Sequence, residues 1–160
     1  MKIEYFHDSK YGNGAAVAEE FKKLMSARGV AVNIHPIKDS KAKDIHPADL
    51  YVFSSPGRIG SPTWRVTRFL KKINLPKGVK YAILTTEGTP TPNKETGKLP
   101  TEEEWAKRQR VITKMNVILQ GKGLVKLAEG KVYITGMKGP LEDGWQKKVE
   151  SFTSQIPSSF

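Results

Sequence analysis

Short apolar runs alternate along the chain with longer stretches in which apolar residues recur every three or four positions. The runs IEYF (3–6), LYVFSS (50–55) and YAILTT (81–86) are continuous, and each of the last two ends in small polar residues. Continuous apolar runs of this length are typical of strands that are covered on both faces of a parallel sheet. These three runs therefore predict central strands.

Two further segments predict strands with a different pattern. VAVNI (30–34) alternates Val30, Val32 and Ile34 with smaller or polar residues, as expected for an edge strand with one covered face. A final strand is predicted within 124–135, interrupted or preceded by a turn at Glu129-Gly130. Glu4 in the first strand is a residue that a fully buried strand would not favour.

Amphipathic stretches between these runs predict four helices. Gly29 ends the first helix, and Thr101 to Glu104 after Pro100 form a capping box that starts the third. We interpret the aromatic and methionine side chains in these helices as core residues rather than cofactor contacts. The apolar stripes are Val17, Phe21, Leu24 and Met25; Val66, Phe69, Leu70 and Ile73; Trp105, Ile112, Met115 and Leu119; and Leu141, Trp145, Val149, Phe152 and Ile156.

Five strands that alternate with helices predict an α/β fold, a doubly wound five-stranded parallel sheet with helices on both faces. The length favours a single domain over 1–160. If the first strand is central and the second lies at an edge, the strand order is 2-1-3-4-5. Ligands bind such sheets at the carboxyl ends of the strands where the order reverses, here between strands one and three. The site is therefore expected in the loops 7–14, 54–62 and 85–100.

Composition excludes several kinds of chemistry. The chain has no cysteine, which excludes disulfides, thiolate metal sites and cysteine nucleophiles, and its three histidines have no metal-ligand spacing. No apolar run approaches the roughly 20 residues of a membrane span, and the N-terminus has no signal-peptide pattern. We therefore expect a cytoplasmic protein.

The charge balance is strongly basic, with 27 Lys and Arg against 16 Asp and Glu and a net charge of +11. The excess is concentrated in 51–100, where nine basic residues face two acidic ones. Such a field attracts acidic proteins, nucleic acid or phosphorylated ligands. A lysine-rich surface that serves only solubility remains the alternative.

Three chemistries that occur on such scaffolds do not match the loops. A phosphorelay receiver needs an acidic residue where the third strand ends in Ser54-Ser55-Pro56, and a small tyrosine-phosphatase loop needs a cysteine. A nicotinamide dinucleotide site needs a third glycine where Val17 stands and an acidic residue after the second strand, which continues into Ile34-His35-Pro36.

The residues HDSKYGNG (7–14) join the first strand to the first helix. Glycines at such a junction leave backbone N–H groups and the positive end of the helix dipole facing the loop, which suits a phosphate. A glycine-rich helix entry that binds nothing is the alternative.

Ser9-Lys10-Tyr11-Gly12-Asn13-Gly14 resembles the FMN phosphate loop of the flavodoxin family, short-chain type. The resemblance reaches across nearly the whole chain and implies FMN as cofactor. It implies that the Ser9 hydroxyl donates a hydrogen bond to the phosphate. It also implies that Gly12 permits the turn and that the N–H groups of Tyr11 to Gly14 surround the phosphate oxygens. Gly14 departs from the family pattern, which usually has threonine at this position.

The second loop, SSPGRIGSPTWRVTRFLKKI (54–73), is similar to the Ser-Pro-x-x-x-Gly-x-Pro segment of flavodoxin-like proteins. The resemblance implies that Pro56, Gly57, Arg58, Ile59 and Gly60 border the flavin ring. Flavodoxins often stack an aromatic residue from this loop on the ring, whereas Arg58 and Ile59 stand at the tip here. A cation at Arg58 would stabilise an anionic reduced flavin and raise the potential. The nearest aromatic residue in this loop is Trp64, which could reach back to the flavin or belong to the core, and we favour the core.

The third loop, 87–100, is long and contains three prolines and two glycines. Thr86, Glu87 and Gly88 at its start are the expected ring contacts. Glu87 could exchange a proton with flavin or substrate, although a solvated loop carboxylate is the commoner case.

Three functions follow from these observations. The first is an FMN flavoprotein in electron transfer, either a carrier or a small flavin-dependent reductase. Its redox partner would present an acidic surface to Arg58, Arg65, Arg68, Lys71 and Lys72, whereas flavodoxins are typically acidic around the cofactor. The second is a fold that has lost flavin and serves as a binding or scaffolding module. The third is a nucleic-acid binder, the weakest of the three because no recognition motif accompanies the charge.

Overall fold

A computed structural model describes residues 1–160 and contains seven strands. The strands are β1 (Lys2–His7), β2 (Ala31–Pro36), β3 (Leu50–Phe53), the short strands β4 (Gly57–Arg58) and β5 (Ser61–Pro62), β6 (Lys80–Gly88) and β7 (Val125–Ile134). Five of them form a parallel sheet of order β2-β1-β3-β6-β7, and β4 pairs with β5 as a separate antiparallel hairpin. Because β6 and β7 are the fourth and fifth strands of the sheet, the predicted parallel order 2-1-3-4-5 is confirmed.

Five α-helices connect the strands: α1 (Asn13–Ser26), α2 (Trp64–Lys72), α3 (Glu102–Arg108), α4 (Val111–Gly121) and α5 (Trp145–Thr153). Two short 3-10 helices, Ile37–Asp39 and Ala42–Asp44, follow β2. None of these helices combines the length and the apolar character that a membrane span requires.

Alternate residues of the central strands supply two separate apolar cores, because neighbouring side chains of a strand point to opposite faces of a sheet. Tyr5 and Val52 pack with Phe21 of α1 and Phe152 of α5 in one core. The other core joins further strand residues to α2 and α4; it includes Phe6, Phe53, Ile83, Phe69 and Met115.

The stretch after Pro100 forms two helices rather than the single one predicted. Thr101 caps α3 as expected, accepting a hydrogen bond from the Glu104 N–H at 3.2 Å. Helix α3 ends at Arg108, the next residue Gln109 is extended, and the Arg110 N–H donates to the Gly60 carbonyl at 2.9 Å instead of continuing the helix. The break therefore comes from a contact with the β4–β5 hairpin, which the apolar period does not encode.

The predicted turn at Glu129-Gly130 is wrong, because β7 runs through both residues. A Cβ on Gly130 would lie 3.3 Å from the Phe152 ring, so this glycine lets α5 approach the strand closely. The last helix is also shorter than predicted. Leu141 lies before it, in an isolated bridge to Ile134, and Ile156 lies after it although both residues pack on the first core.

Glu4 is buried in β1 because it has charged partners at the sheet edge. Lys2 Nζ lies 3.2 Å from Glu4 Oε1, and His35 of the neighbouring strand contacts Glu4 Oε2. Burial raises the pKa of Glu4, but the hydrogen bonds from His35 and Lys2 outweigh it and hold the pKa below its usual value.

Candidate functional site

The first loop leaves β1 at His7 and turns into α1 at Gly12, whose φ of 87° is a left-handed conformation that favours glycine. Gly12 is the N-cap of α1 and has no side chain to cap the helix. The first N–H groups of a helix have no partner within the helix, and here no N-cap side chain accepts from them. The start of α1 is therefore available to an anion in the loop.

Ser9 supplies a hydroxyl at this helix start. Its Oγ is buried and has no hydrogen-bond partner in the protein. Buried polar groups normally have partners, so a buried free hydroxyl on the wall of a cavity is a donor suited to a ligand.

The loops enclose a cavity of about 330 Å³ at the carboxyl ends of the strands. This volume lies within the range of small-molecule sites. We call it the first cavity. It brings together most of the residues predicted from the sequence: Ser9, Lys10, Tyr11, Asn13, Gly14, Pro56, Gly57, Arg58, Ile59, Thr86 and Gly88.

Gly12, Gly60 and Glu87 do not line the first cavity. Gly12 makes the turn described above. Gly60 has a φ of 71°, and a Cβ on it would lie 2.0 Å from the Arg108 carbonyl oxygen. Gly60 therefore allows the hairpin to pack on the junction of α3 and α4.

Glu87 is not the solvated loop carboxylate that the sequence suggests. Strand β6 extends to Gly88, and Glu87 is 1% exposed within it. The Glu87 side chain packs closely against Gly57, since a Cβ added to that glycine would lie 3.3 Å from Glu87 Cγ. Glu87 Oε2 accepts a hydrogen bond from Thr85 Oγ1. Because side chains alternate along a strand, Thr86 and Gly88 reach the cavity while Glu87 points to the other face.

The second loop is held in place by two hydrogen bonds that Ser55 accepts, one at its carbonyl and one at its side chain. The Thr86 N–H donates to the Ser55 carbonyl at 3.1 Å, and the Thr63 N–H donates to Ser55 Oγ at 3.1 Å. The tip of the loop is Ile59, which has a φ of 50° and is fully exposed. The cavity wall at Pro56 and Gly57 is therefore anchored, and the tip projects into solvent.

The cavity also contains four residues that the sequence analysis did not select: Asp8, Ile134, Gly136 and Met137. Ile134 is the last residue of β7, and Gly136 and Met137 belong to the loop that follows it. Asn13 holds this loop across the site by donating from Nδ2 to the Lys138 carbonyl at 3.1 Å. Gly139 fits there because it has no Cβ, which would lie 2.9 Å from Asn13 Oδ1. The glycines in TGMKGP (135–140) were the available signal, but the strand order places this loop two strands away from the switch point.

Asp8 places a carboxylate beside the first loop, and α2 holds it. Asp8 Oδ2 accepts from Thr63 Oγ1 at 2.7 Å, and Asp8 Oδ1 accepts from the Arg65 guanidinium at 3.0 Å. Arg65 therefore offsets a negative charge that would otherwise face an anion in the cavity.

Trp64 is not a core residue, contrary to the sequence-based prediction. Thr63 caps α2 by accepting from the Val66 N–H, which places Trp64 at the first position of the helix. Its side chain is 73% exposed, and the Arg68 guanidinium lies 5.1 Å from its ring. Trp64 does not line the first cavity.

The rim of the first cavity combines cations with exposed apolar side chains. Lys10 Nζ and Lys138 Nζ lie 5.4 and 5.8 Å from the Tyr11 ring. Tyr11, Ile59 and Met137 are all exposed and all line the cavity. No group of three or more His, Asp or Glu side chains is placed to hold a metal ion.

Solved structures superpose on this chain over almost its whole length. The flavodoxin of Streptococcus pneumoniae TIGR4 superposes with a TM-score of 0.70 at 14% identity, covering 98% of this chain and 97% of that one. Flavodoxin 2 of Bacillus cereus gives a TM-score of 0.68 at 18% identity, with 97% of both chains covered. The chain has the flavodoxin fold.

The fold also matches part of a longer protein. Rubredoxin oxygen:oxidoreductase of Desulfovibrio gigas matches with a TM-score of 0.69 at 15% identity, and the match covers 97% of this chain but 35% of that one. No protein-family model and no curated protein matches the sequence.

Proposed function

We propose that this flavodoxin-like chain binds FMN in the first cavity and acts in electron transfer. The observation that carries the proposal is the buried, unpartnered Ser9 hydroxyl at the uncapped start of α1, on the wall of a cavity formed by three loops of the fold. FMN is the cofactor that the resemblance to the flavodoxin family implies. Its single phosphate matches the single phosphate loop.

The residues present fit such a cofactor. Ser9 Oγ and the N–H groups of the first turn of α1 would bind the phosphate, with the helix dipole adding to the attraction. Pro56, Gly57, Ile59, Thr86 and Gly88 line the cavity and would contact the ring. Asn13 holds the loop after β7 beside the cavity, where Gly136 and Met137 line it.

A bound flavin would supply the redox chemistry, and the chain would set its potential and its access. Arg58 lines the cavity and is exposed, so its guanidinium would favour a negatively charged reduced ring and raise the potential. The exposed apolar rim of Tyr11, Ile59 and Met137 leaves one edge of the site open to an electron partner.

A flavin-free binding or scaffolding module is the second candidate. It is favoured by one observation: Trp64, the aromatic residue of the second loop nearest its tip, does not line the first cavity, so this loop provides no aromatic stacking on a ring there. Loss of stacking would weaken cofactor binding.

Titration of the purified chain with FMN tests the proposal. We expect saturable one-to-one binding at micromolar concentration or below, measured by quenching of flavin fluorescence, and weaker binding of riboflavin because it lacks the phosphate. Circular dichroism in the same samples shows whether the chain is folded. A folded chain that does not bind FMN would overturn the flavin proposal in favour of the binding module.

A further inference from the structure

A second cleft of about 680 Å³ lies beside the first cavity, on the side of α2. The two share Asp8, Ser9, Lys10, Pro56 and Arg58, so a ligand in the second cleft would lie next to the flavin site proposed above. Its volume is within the range of small-molecule sites.

Four cations from four different elements face the second cleft. Lys10 comes from the first loop, Lys38 from the 3-10 helix after β2, Arg58 from the hairpin and Arg65 from α2. Arg65 is paired with Asp8, the only carboxylate in the lining. Lys10, Lys38 and Arg58 form no ion pair in the protein. Three uncompensated positive charges around one cleft attract a ligand with more than one negative charge.

Trp64 adds an aromatic surface to these charges. Its indole lines the second cleft and is 73% exposed, and Arg68 lies 5.1 Å from the ring. A large exposed aromatic residue in a cleft is a common element of binding sites, because it offers a rigid face on which a planar ligand can stack.

We propose that the second cleft binds a small planar aromatic molecule that carries two or more acidic groups. The cations select for the negative charges, and Trp64 selects for the aromatic ring. Binding itself does not require flavin. The role of this molecule as the electron partner of the site rests on the function proposed above.

Anthraquinone-2,6-disulfonate, a planar quinone with two sulfonates, is a suitable probe, and its binding to the flavin-free chain is measured by isothermal titration calorimetry. We expect binding that weakens about fivefold in Lys38→Gln and in Trp64→Ala, since each loses one element of recognition. Anthraquinone-2-sulfonate, with one charge, and inorganic sulfate, with no ring, should both bind more weakly. Lys72→Gln is the matched control, because Lys72 is an exposed cation of α2 outside the second cleft.

Each outcome is decisive for one proposal. Equal affinities in Lys38→Gln, Trp64→Ala and Lys72→Gln would indicate diffuse attraction to a basic surface and overturn the inference. Probe binding that is lost after saturation with FMN and is unchanged in Lys38→Gln and Trp64→Ala would place the probe in the first cavity and also overturn it. Probe binding with the expected variant pattern in a chain that does not bind FMN would support the second cleft and overturn the flavin function alone.

Discussion

Glycine at position 14, where flavodoxins usually have threonine, fits the shape of the first loop in this chain. A Cβ at this position would lie 3.2 Å from the Asp8 carbonyl oxygen and 3.3 Å from Ser9 Cβ, closer than most such contacts. The loop therefore lies nearer to the start of α1 than a threonine would allow. The loop lacks the hydroxyl that a threonine at position 14 would supply. Ser9, whose own hydroxyl is buried, lies where a side chain at position 14 would approach it.

Ser9→Ala tests the phosphate contact. The variant should weaken FMN binding by about 1–3 kcal/mol, because a hydrogen bond to a charged group is worth about that much. Riboflavin affinity should hardly change. Fluorescence titrations with both flavins give the comparison, and Ser26→Ala at the exposed far end of α1 is the matched control. An equal loss for FMN and riboflavin would mean that Ser9 does not contact the phosphate.

His7 makes stability depend on pH. It is buried directly before the first loop, its Nδ1 has no partner, and burial lowers its pKa below the usual 6.5. Below pH 6.5 the unfolded chain therefore binds a proton that the folded chain does not, and stability falls with pH until the lower folded pKa is reached. The loss is at most about 1.4 kcal/mol per pH unit within that window.

Urea unfolding of the flavin-free chain at pH 7.5, 6.5 and 5.5 measures this effect. His7→Phe should remove it, whereas His46→Gln, at an exposed position, should keep the wild-type slope. Glu4 contributes below this range, because its lowered pKa stabilises the fold above the usual value of 4.5 and that contribution is lost at more acidic pH. An unchanged slope between pH 7.5 and 5.5 in His7→Phe would assign the dependence to another group.

At the scale of elements, the second loop is positioned by contacts distant in sequence. The β4–β5 hairpin is held by the Gly60 carbonyl, which accepts from the Arg110 N–H, and by the close approach of Gly60 to Arg108. The same contact divides the predicted single helix into α3 and α4. The shape of the cavity wall at Pro56 and Gly57 thus depends on a junction about fifty residues away.

Gly60→Ala should therefore destabilise the fold by about 2 kcal/mol or more, since a Cβ would collide with the Arg108 carbonyl and the left-handed φ is strained for alanine. Gly78→Ala is the matched control: Gly78 has a φ of 86° but no atom within 4 Å of the added Cβ, so it carries the strain without the collision. Urea denaturation gives both free energies. Equal losses in the two variants would show that the hairpin contact contributes little.

Local patterns predict the elements that depend on burial and miss those that depend on long-range contacts. The continuous runs in β1, β3 and β6 identify central strands because both faces of these strands are covered. Trp64, a large aromatic residue, is expected in the core, yet the cap at Thr63 places it in the exposed first turn of α2. The loop after β7 joins the first cavity through one hydrogen bond from Asn13, and the glycines in TGMKGP (135–140) do not encode this distant contact.

At the scale of the whole molecule, the positive charges behind the net charge of +11 are unevenly distributed over the surface. Helix α2 exposes Arg65, Arg68, Lys71 and Lys72 beside the second loop. Arg65 is engaged with Asp8, so reversing it would disturb the first loop as well as the surface. Arg68, Lys71 and Lys72 form no ion pair, so reversing their charges changes the surface without disturbing the first loop.

If this basic surface steers an acidic electron partner, charge reversal should change electron transfer with small ions in opposite ways. Ferricyanide, an anion, should oxidise the reduced FMN-loaded chain more slowly when Arg68, Lys71 and Lys72 are replaced by glutamate, by about tenfold at low salt. Hexaamminecobalt(III), a cation, should react faster. Stopped-flow traces of flavin absorbance measure both rates, and the differences should shrink as salt shortens the screening length to about 8 Å.

The triple variant Lys22, Lys23 and Lys147 to glutamate carries the same net charge change on α1 and α5, away from α2, and should affect both rates less. Equal effects of the two triple variants would mean that only the total charge matters, and the assignment of a docking surface to α2 would then be wrong.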